Sequence, residues 1–407
     1  MGKLAQKKIA VPCGFLFAAG EGGLRVHGSG PDVAVMYSVV PAQVVALFTA
    51  NRVKAAPVLV SERHLRSSRN IAQAIVVNAG NANCATGNPG MQTARACAER
   101  TAALLKIPAR QVLLASTGVI GVPLDARQIT DLLPALIRRM HPEGVTRVAR
   151  AILTTDTRPK VAARRIDVSG HKVTILGMAK GAGMIYPRLI PSATMLAFLF
   201  TDAVVEPRFL QKATQRACDL SFNRISVDGD TSTNDTLFLM ANGMAGGRVI
   251  EAKSRAGEAF FDELVAVMQE LALEMIRDGE GAKKIAEIRV EQARTEQQAE
   301  AIARAIALSP LVKTALAGAD PNWGRILSAV GNAGVTFKPS RVDIYLNRMR
   351  VCRHGGATEF NEAAASKLLQ AKEVLIRVTL GQGTAQARFW TCDFTADYIR
   401  INASYRT

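Results

Sequence analysis

Paired cysteines are missing from this sequence. Six cysteines (Cys13, Cys84, Cys97, Cys218, Cys352 and Cys392) are scattered with no C-x-x-C pair, and the five histidines never fall four residues apart. That excludes a disulfide framework and a zinc-finger pattern, suits a reducing compartment, and leads us to expect a cytoplasmic address and no metal site. Long apolar runs are missing too. Residues 71–77 and 194–200 fall far short of the roughly 20 residues a membrane-spanning helix needs, so no membrane partner is expected. The first twenty residues resemble a signal peptide in their early lysines, but Pro12, Cys13 and Gly14 interrupt the apolar stretch, and a buried strand is expected there instead. Aromatic residues make up only 5% of the chain and no block of like charges occurs, so the stacking platforms and basic tracts of nucleic-acid binders are absent and no nucleic-acid partner is expected.

What is present is a chain of 407 residues, 48% hydrophobic, long enough for one large or two medium cores. Acidic residues are outnumbered, 34 against 51 basic, and the imbalance is local: 25 basic against 9 acidic residues precede position 194, and 26 against 25 follow it. Short apolar runs alternate with longer amphipathic stretches, which predicts an α/β or α+β fold. Strands are expected at 33–40, 71–78, 112–115, 172–178, 195–200, 236–240, 341–346 and 374–379, all rich in aliphatic or β-branched residues. Helices are expected at 41–50, 92–105, 126–139, 207–223 and 255–278. The charge shift and the Gly/Pro-rich stretch 180–191 make residue 194 the best internal boundary.

The segment Lys180-Gly181-Ala182-Gly183-Met184-Ile185 is glycine-rich like a phosphate loop, but it lacks the G-K-[ST] ending and leads to a strand instead of a helix. Thr194 follows, at a loop-to-strand junction. A threonine hydroxyl is a weak nucleophile unless a base lies beside it, and one solution makes the threonine a chain N-terminus. Its free α-amine, with a pKa near 8, can then take the hydroxyl proton near neutrality. Read alone, Thr194 is more often just the first residue of a strand.

Longer strings carry more. They are Asn51-Arg52-Val53-Lys54-Ala55-Ala56-Pro57-Val58, Asn78-Ala79-Gly80-Asn81-Ala82-Asn83, Ser116-Thr117-Gly118-Val119-Ile120-Gly121, Lys180 through Ile185, and Ala193-Thr194-Met195-Leu196. The run 222–235 (FNRISVDGDTSTND), Asp320-Pro321-Asn322-Trp323-Gly324-Arg325-Ile326 and the closing Asn402-Ala403-Ser404-Tyr405-Arg406-Thr407 complete the set. With them the sequence resembles, along essentially its whole length, the ornithine acetyltransferase (glutamate N-acetyltransferase) family, whose members cut themselves before a threonine and use it for acyl transfer.

The resemblance implies a self-processed, two-chain N-terminal-threonine acyltransferase fold, with sheets sandwiched by helices. Cleavage between Ala193 and Thr194 would give an α part, 1–193, and a β part, 194–407, assembled as an α2β2 heterotetramer. Thr194 would be the nucleophile of a ping-pong reaction that moves acetyl from N-acetylornithine to glutamate in arginine biosynthesis. Thr117 and Gly118 match the family's oxyanion hole, and a tight Thr-Gly turn there would supply a hydroxyl and a backbone N–H. Thr154, Lys180, Thr194, Glu280, Asn402 and Thr407 match substrate contacts. No cofactor is implied; acetyl-CoA as a second donor is left open. The acids Asp228, Asp230 and Asp235, with Asn234, are assigned to buried hydrogen bonding near the site, and Trp323 to packing. One departure stands before the scissile bond, where Ile190-Pro191-Ser192 is inserted relative to the family pattern and bears on processing efficiency, with Ser192 a competing nucleophile. Two other readings remain: a self-processed amidase or peptidase acting on N-acyl amino acids, and a non-catalytic basic binding protein.

Overall fold

The computed structural model describes residues 9–25, 29–168, 170–186 and 195–404. Its strands, in chain order, are β1 (Phe15–Gly20), β2 (Val33–Phe48), β3 (Ile71–Asn81), β4 (Val112–Val119), β5 (Lys160–Val168), β6 (His171–Lys180), β7 (Leu196–Thr201), β8 (Ile225–Ser226), β9 (Thr236–Ala241), β10 (Ile285–Ala293), β11 (Asp343–Leu346), β12 (Met349–Arg353), β13 (Gly356–Ala357), β14 (Glu373–Thr379) and β15 (Ala385–Cys392). Among the described residues they form two sheets. The first runs β4-β3-β2-β9-β7-β6-β5 with β1 against β2, and the second runs β13-β12-β11-β14-β10-β15-β8. With helices packed on both sheets, this is the expected mixed α/β class.

β2 is the hinge of the first sheet. It pairs with β3 from Val33 opposite Asn78 to Tyr37 opposite Ala74, loses register before Ala42, and then pairs with β9 from Gln43 to Phe48. Pro41, with no N–H to donate, falls in the interruption. Side chains of both limbs meet in one core: Met36, Ile75, Val77 and Leu113 from one, and Leu176, Met178, Phe198, Phe200 and Phe238 from the other. The helix expected at 41–50 is therefore a strand. Val44 and Phe48 enter this core while Val45 and Leu47 enter the core on the sheet's other face. A strand buried on both faces produces apolar residues at i, i+1, i+3 and i+4, the spacing that imitates a helix.

β7 is buried along its whole length. Leu196, Phe198 and Phe200 point into the first core, and Ala197 and Leu199 point to the helices Pro207–Asp219 and Arg255–Arg277. It lies parallel to β9, Leu196 opposite Thr236, and antiparallel to β6, Leu196 opposite Lys180. Strands from before and after residue 194 thus interleave in one sheet. The helix expected at 126–139 divides into Arg127–Thr130 and Leu133–Arg138, because Pro134 starts a helical turn more readily than it continues one. Among the described residues no helix is long and apolar enough to cross a membrane. The second sheet packs on the helices Glu296–Leu308, Pro310–Ala317 and Trp323–Gly331, with Trp323 half-buried against that core.

Candidate active site

The bend in β2 brings the end of β4 to the end of β6. Lys180 Nζ donates to Thr117 Oγ1 at 3.1 Å across 63 residues of sequence. Thr117 and Gly118 lie in the last residues of β4, beside a register shift at Gly80 and Asn81, and not in the tight turn expected. Gly118 has φ +133°, and a Cβ there would stand 2.2 Å from the Gly80 carbonyl carbon, so only glycine lets the two strands approach this closely.

A second group of residues is delivered by the helix Arg255–Arg277. Ser254 caps it, accepting the Gly257 N–H at 2.9 Å, and Phe260, Leu264, Val267, Met268, Leu271 and Met275 form its buried stripe. Gly177 of β6 leaves room for that stripe, since a Cβ would meet Leu271 at 2.7 Å. The helix ends at Asp278, and Glu280 follows with its N–H bonded to Ala182 O at 2.9 Å. Gly183 approaches so closely that a Cβ would lie 2.3 Å from Glu280 Oε2. Gly281, at φ +69°, lets the helix Ala396–Ser404 pack beside it, and from that helix Asn402 Nδ2 donates to Glu280 Oε2 at 2.8 Å.

Thr117, Gly118, Thr154, Lys180, Glu280 and Asn402 line one cavity of about 250 Å³, joined by Met195, Leu196 and the acid cluster. Ala193, Thr194, Thr407 and the insertion 190–192 lie outside the described residues. Within the acid cluster, Asp228 accepts the N–H groups of Met184 (2.6 Å) and Ile185 (2.9 Å), and Asn234 Nδ2 donates to Ala82 O and Ser116 O. Asp235, 2% exposed, stands at the head of β9; its Oδ2 has no hydrogen-bond partner among the described residues. Among the described residues no three His, Cys, Asp or Glu side chains gather to hold a metal ion.

Three charged groups behind the cavity were not singled out from the sequence. Lys160 Nζ lies 2.7 Å from Asp156 Oδ1 and 2.6 Å from Asp278 Oδ2, and Asp156 Oδ1 also accepts the Gly181 N–H at 2.6 Å. No local pattern joins these residues, because Lys160 and Asp278 are 118 positions apart. Burial works against charge throughout this cluster. It opposes ionisation of Asp156, but Lys180, Lys160 and the Gly181 N–H outweigh it and hold that carboxyl below its ordinary range. Burial, reinforced by the like charge of Lys160, pushes the Lys180 ammonium down, against the pull of Asp156, Glu280 and Asp235. Burial also raises Asp235 well above an ordinary carboxyl, with Lys180 only partly compensating.

A two-sheet α/β protein with a polar, ion-rich cavity at its strand ends, sized for an amino acid, belongs to the class of small-molecule enzymes. Comparison with known proteins narrows the class. The ArgJ family model matches residues 17–407, and the chain belongs to that family. The arginine biosynthesis bifunctional protein ArgJ of Symbiobacterium thermophilum is 45% identical over 400 residues, 98% of each chain. Its namesake from Caldanaerobacter subterraneus subsp. tengcongensis is 43% identical over 404 residues, again 98% of each. The crystal structure of the Bacillus halodurans protein of that name is 40% identical, covers 52% of this chain and 100% of its own, and superposes with a TM-score of 0.51.

Proposed function

We propose that this chain moves acetyl from N-acetylornithine to glutamate through an ester on Thr194, after cutting itself between Ala193 and Thr194. Family membership supports the activity. The observation that carries the site is the convergence of Thr117, Thr154, Lys180, Glu280 and Asn402, from five separate segments, at the head of β7, which begins two residues after Thr194.

Processing starts when the Thr194 hydroxyl adds to the Ala193 carbonyl; the C–N bond breaks, leaving an ester and a free Thr194 α-amine, and water then hydrolyses the ester to the Ala193 carboxylate and the Thr194 hydroxyl. With an ordinary pKa near 8, that amine is the base that takes the hydroxyl proton in the next step. Thr194 Oγ then attacks the acetyl carbon of N-acetylornithine, the C–N bond breaks, and the α-amine of ornithine leaves with the proton. The α-amine of glutamate attacks the acetyl ester, returning Oγ and its proton to Thr194. Each half-reaction passes through a tetrahedral oxyanion. Thr117 Oγ1 already accepts from Lys180, so its own O–H is left to donate, and the neighbouring ammonium strengthens it. The Gly118 N–H is the second donor, and losing one such donor costs roughly 3 kcal/mol.

Lys180 and Thr154 suit an α-carboxylate. Glu280, oriented by Asn402, suits a cationic side chain or the Thr194 α-amine, and the family resemblance adds Thr407 as a substrate contact. The reaction as written consumes no cofactor. Acetyl-CoA is a second donor to the same ester, a reading supported by the bifunctional name of the relatives. The interleaved sheet supports two halves that stay together after the cut, the family resemblance implies two copies of each, α2β2, and six unpaired cysteines support a cytoplasmic setting.

Intact mass under denaturing conditions tests the first step: two species, each about half of 43.5 kDa, with Thr194 as a new N-terminus. Acetyl transfer is then assayed with N-acetylornithine or acetyl-CoA as donor and glutamate as acceptor. A single uncut species without transfer sinks the proposal. Hydrolysis of N-acetylornithine that ignores glutamate would make the chain an amidase instead, and salt-sensitive retention on DNA by an uncut chain would make it a binding protein.

A further inference from the structure

The ion triad behind the cavity is costly and has no place in the chemistry so far. The side chains of Asp156, Lys160 and Asp278 are 0%, 0% and 3% exposed. Removing each charge from water costs several kcal/mol, and a well-packed apolar trio of similar volume would be at least as stable, so stability does not account for it. Its contacts do. Asp156 Oδ1 accepts the N–H of Gly181, the residue after Lys180, and Asp156 Oδ2 accepts the N–H of Thr154 at 3.3 Å. Asp278 accepts the Thr157 N–H at 3.0 Å and the Thr157 hydroxyl, two residues before Glu280. Lys160 itself pairs with Ala179 in the sheet, next to Lys180. One ammonium therefore ties together the three backbone segments that carry Thr154, Lys180 and Glu280, two from before residue 194 and one from after it.

We infer that Lys160 is a positioning residue for acyl transfer: through Asp156 and Asp278 it fixes Lys180 and Glu280 across the cavity and keeps Asp156 from drawing Lys180 away from Thr117. This rests on the function proposed above. The charged groups facing Lys180 are Asp156, Lys160, Glu280 and Asp235. Without Lys160, Asp156 has one cation left to pair with, and that cation is Lys180. The Lys180–Thr117 contact then lengthens and the oxyanion loses a well-aimed donor. A second effect is electrostatic. Lys180 strengthens the Thr117 hydroxyl by its charge only while protonated, so activity falls as pH rises through its pKa; losing the like charge of Lys160 moves that alkaline limb to higher pH.

The test compares wild type, Lys160→Met and Asp278→Asn, each normalised to the fraction of chain cut at Thr194. Lys160→Met is expected to lower kcat about tenfold or more, to raise the substrate KM values because Lys180 and Glu280 also hold the substrate, and to move the alkaline limb up by about half a pH unit or more. Asp278→Asn keeps the shape and weakens the tie, so a several-fold loss in kcat is expected. Should Lys160→Met not fold, Asp278→Asn decides alone. Wild-type kcat in the folded variants, or a fall in kcat with an unmoved alkaline limb in Lys160→Met, would overturn the inference and leave the triad a structural tie. A wild type that is cut but transfers no acetyl would instead refute the proposed function.

Discussion

In β7 and β9 every residue is buried, whereas β14 alternates: Val374, Ile376 and Val378 are buried and Glu373 is exposed, with Leu375, Arg377 and Thr379 half-covered. The first sheet has apolar cores along both faces; the second has one along one face, and on the other only Ile225, Ile285, Trp390 and Cys392, at one end, reach the core shared with the first sheet. The second sheet's open face is a ladder of charge pairs, Arg289–Glu287 at 2.8 Å, Arg388–Glu287 at 3.5 Å and Arg377–Glu291 at 3.6 Å, with Arg377 also over the Tyr345 ring at 4.0 Å. Where both faces are sealed, polar groups at the strand ends have few partners but one another, and Thr117, Lys180, Asp156 and Asp235 gather there. On the charged face of the second sheet, charges are spent on half-covered pairs with one another. The sheet sealed along both faces supplies Thr117 and Lys180 to the cavity.

Substitutions that distinguish the two sheets should follow this contrast. Gly118→Ala, in the first, forces a Cβ into the Gly80 backbone at an unfavourable φ, and is expected to cost about 3 kcal/mol or more and to reduce acetyl transfer at least about 100-fold, read by thermal unfolding and kcat. Leu271→Ala and Ile376→Ala form a matched pair, one from each core. Each is expected to lower stability by about 2–5 kcal/mol, but only Leu271→Ala should also lower kcat, because its helix delivers Glu280. Equal kcat in the two would erase the distinction.

Asp235→Asn should show a smaller effect, and in its pH dependence. Burial raises the folded-state pKa of Asp235, so the folded state holds that proton more tightly, and the stability it contributes is lost as pH rises from the unfolded value toward the folded one. The amide has no proton to lose, so its Tm should fall less than that of wild type as pH rises above the ordinary carboxyl range; parallel curves would refute this. Smallest of all, Arg377→Ala on the open face should cost under about 1 kcal/mol and leave kcat unchanged.

The same contrast decides part of how much the sequence shows, although the alternating β11 and β14 were expected from their β-branched and aliphatic residues. β3, β4, β6, β7 and β9 announce themselves as unbroken aliphatic runs, because both faces need apolar residues. β10 and β15 do not, since their apolar positions come every second residue among Glu, Arg and Gln. The double burial that reveals β7 also disguised the second limb of β2 as a helix. For the site, Thr117, Lys180 and Asn402 stand on distinctive strings, and Glu280 entered through the resemblance; the structure brings all four to one cavity. Asp156, Lys160 and Asp278 were given no role, because what gives them one is the contact between Lys160 and Asp278, 118 positions apart, which no local spacing encodes.

β2 also sets a schedule for the newborn chain. Val45 pairs with Leu239, so one limb of this strand waits on the ribosome for almost two hundred further residues before its partner exists. Contacts so distant in sequence make folding slow, and until β9 emerges the Val44–Phe48 segment is an apolar strand edge open to unwanted association. Chaperone demand should therefore concentrate on nascent chains that stop short of Ala241, and truncations ending before β9 should aggregate while those ending after it gain solubility.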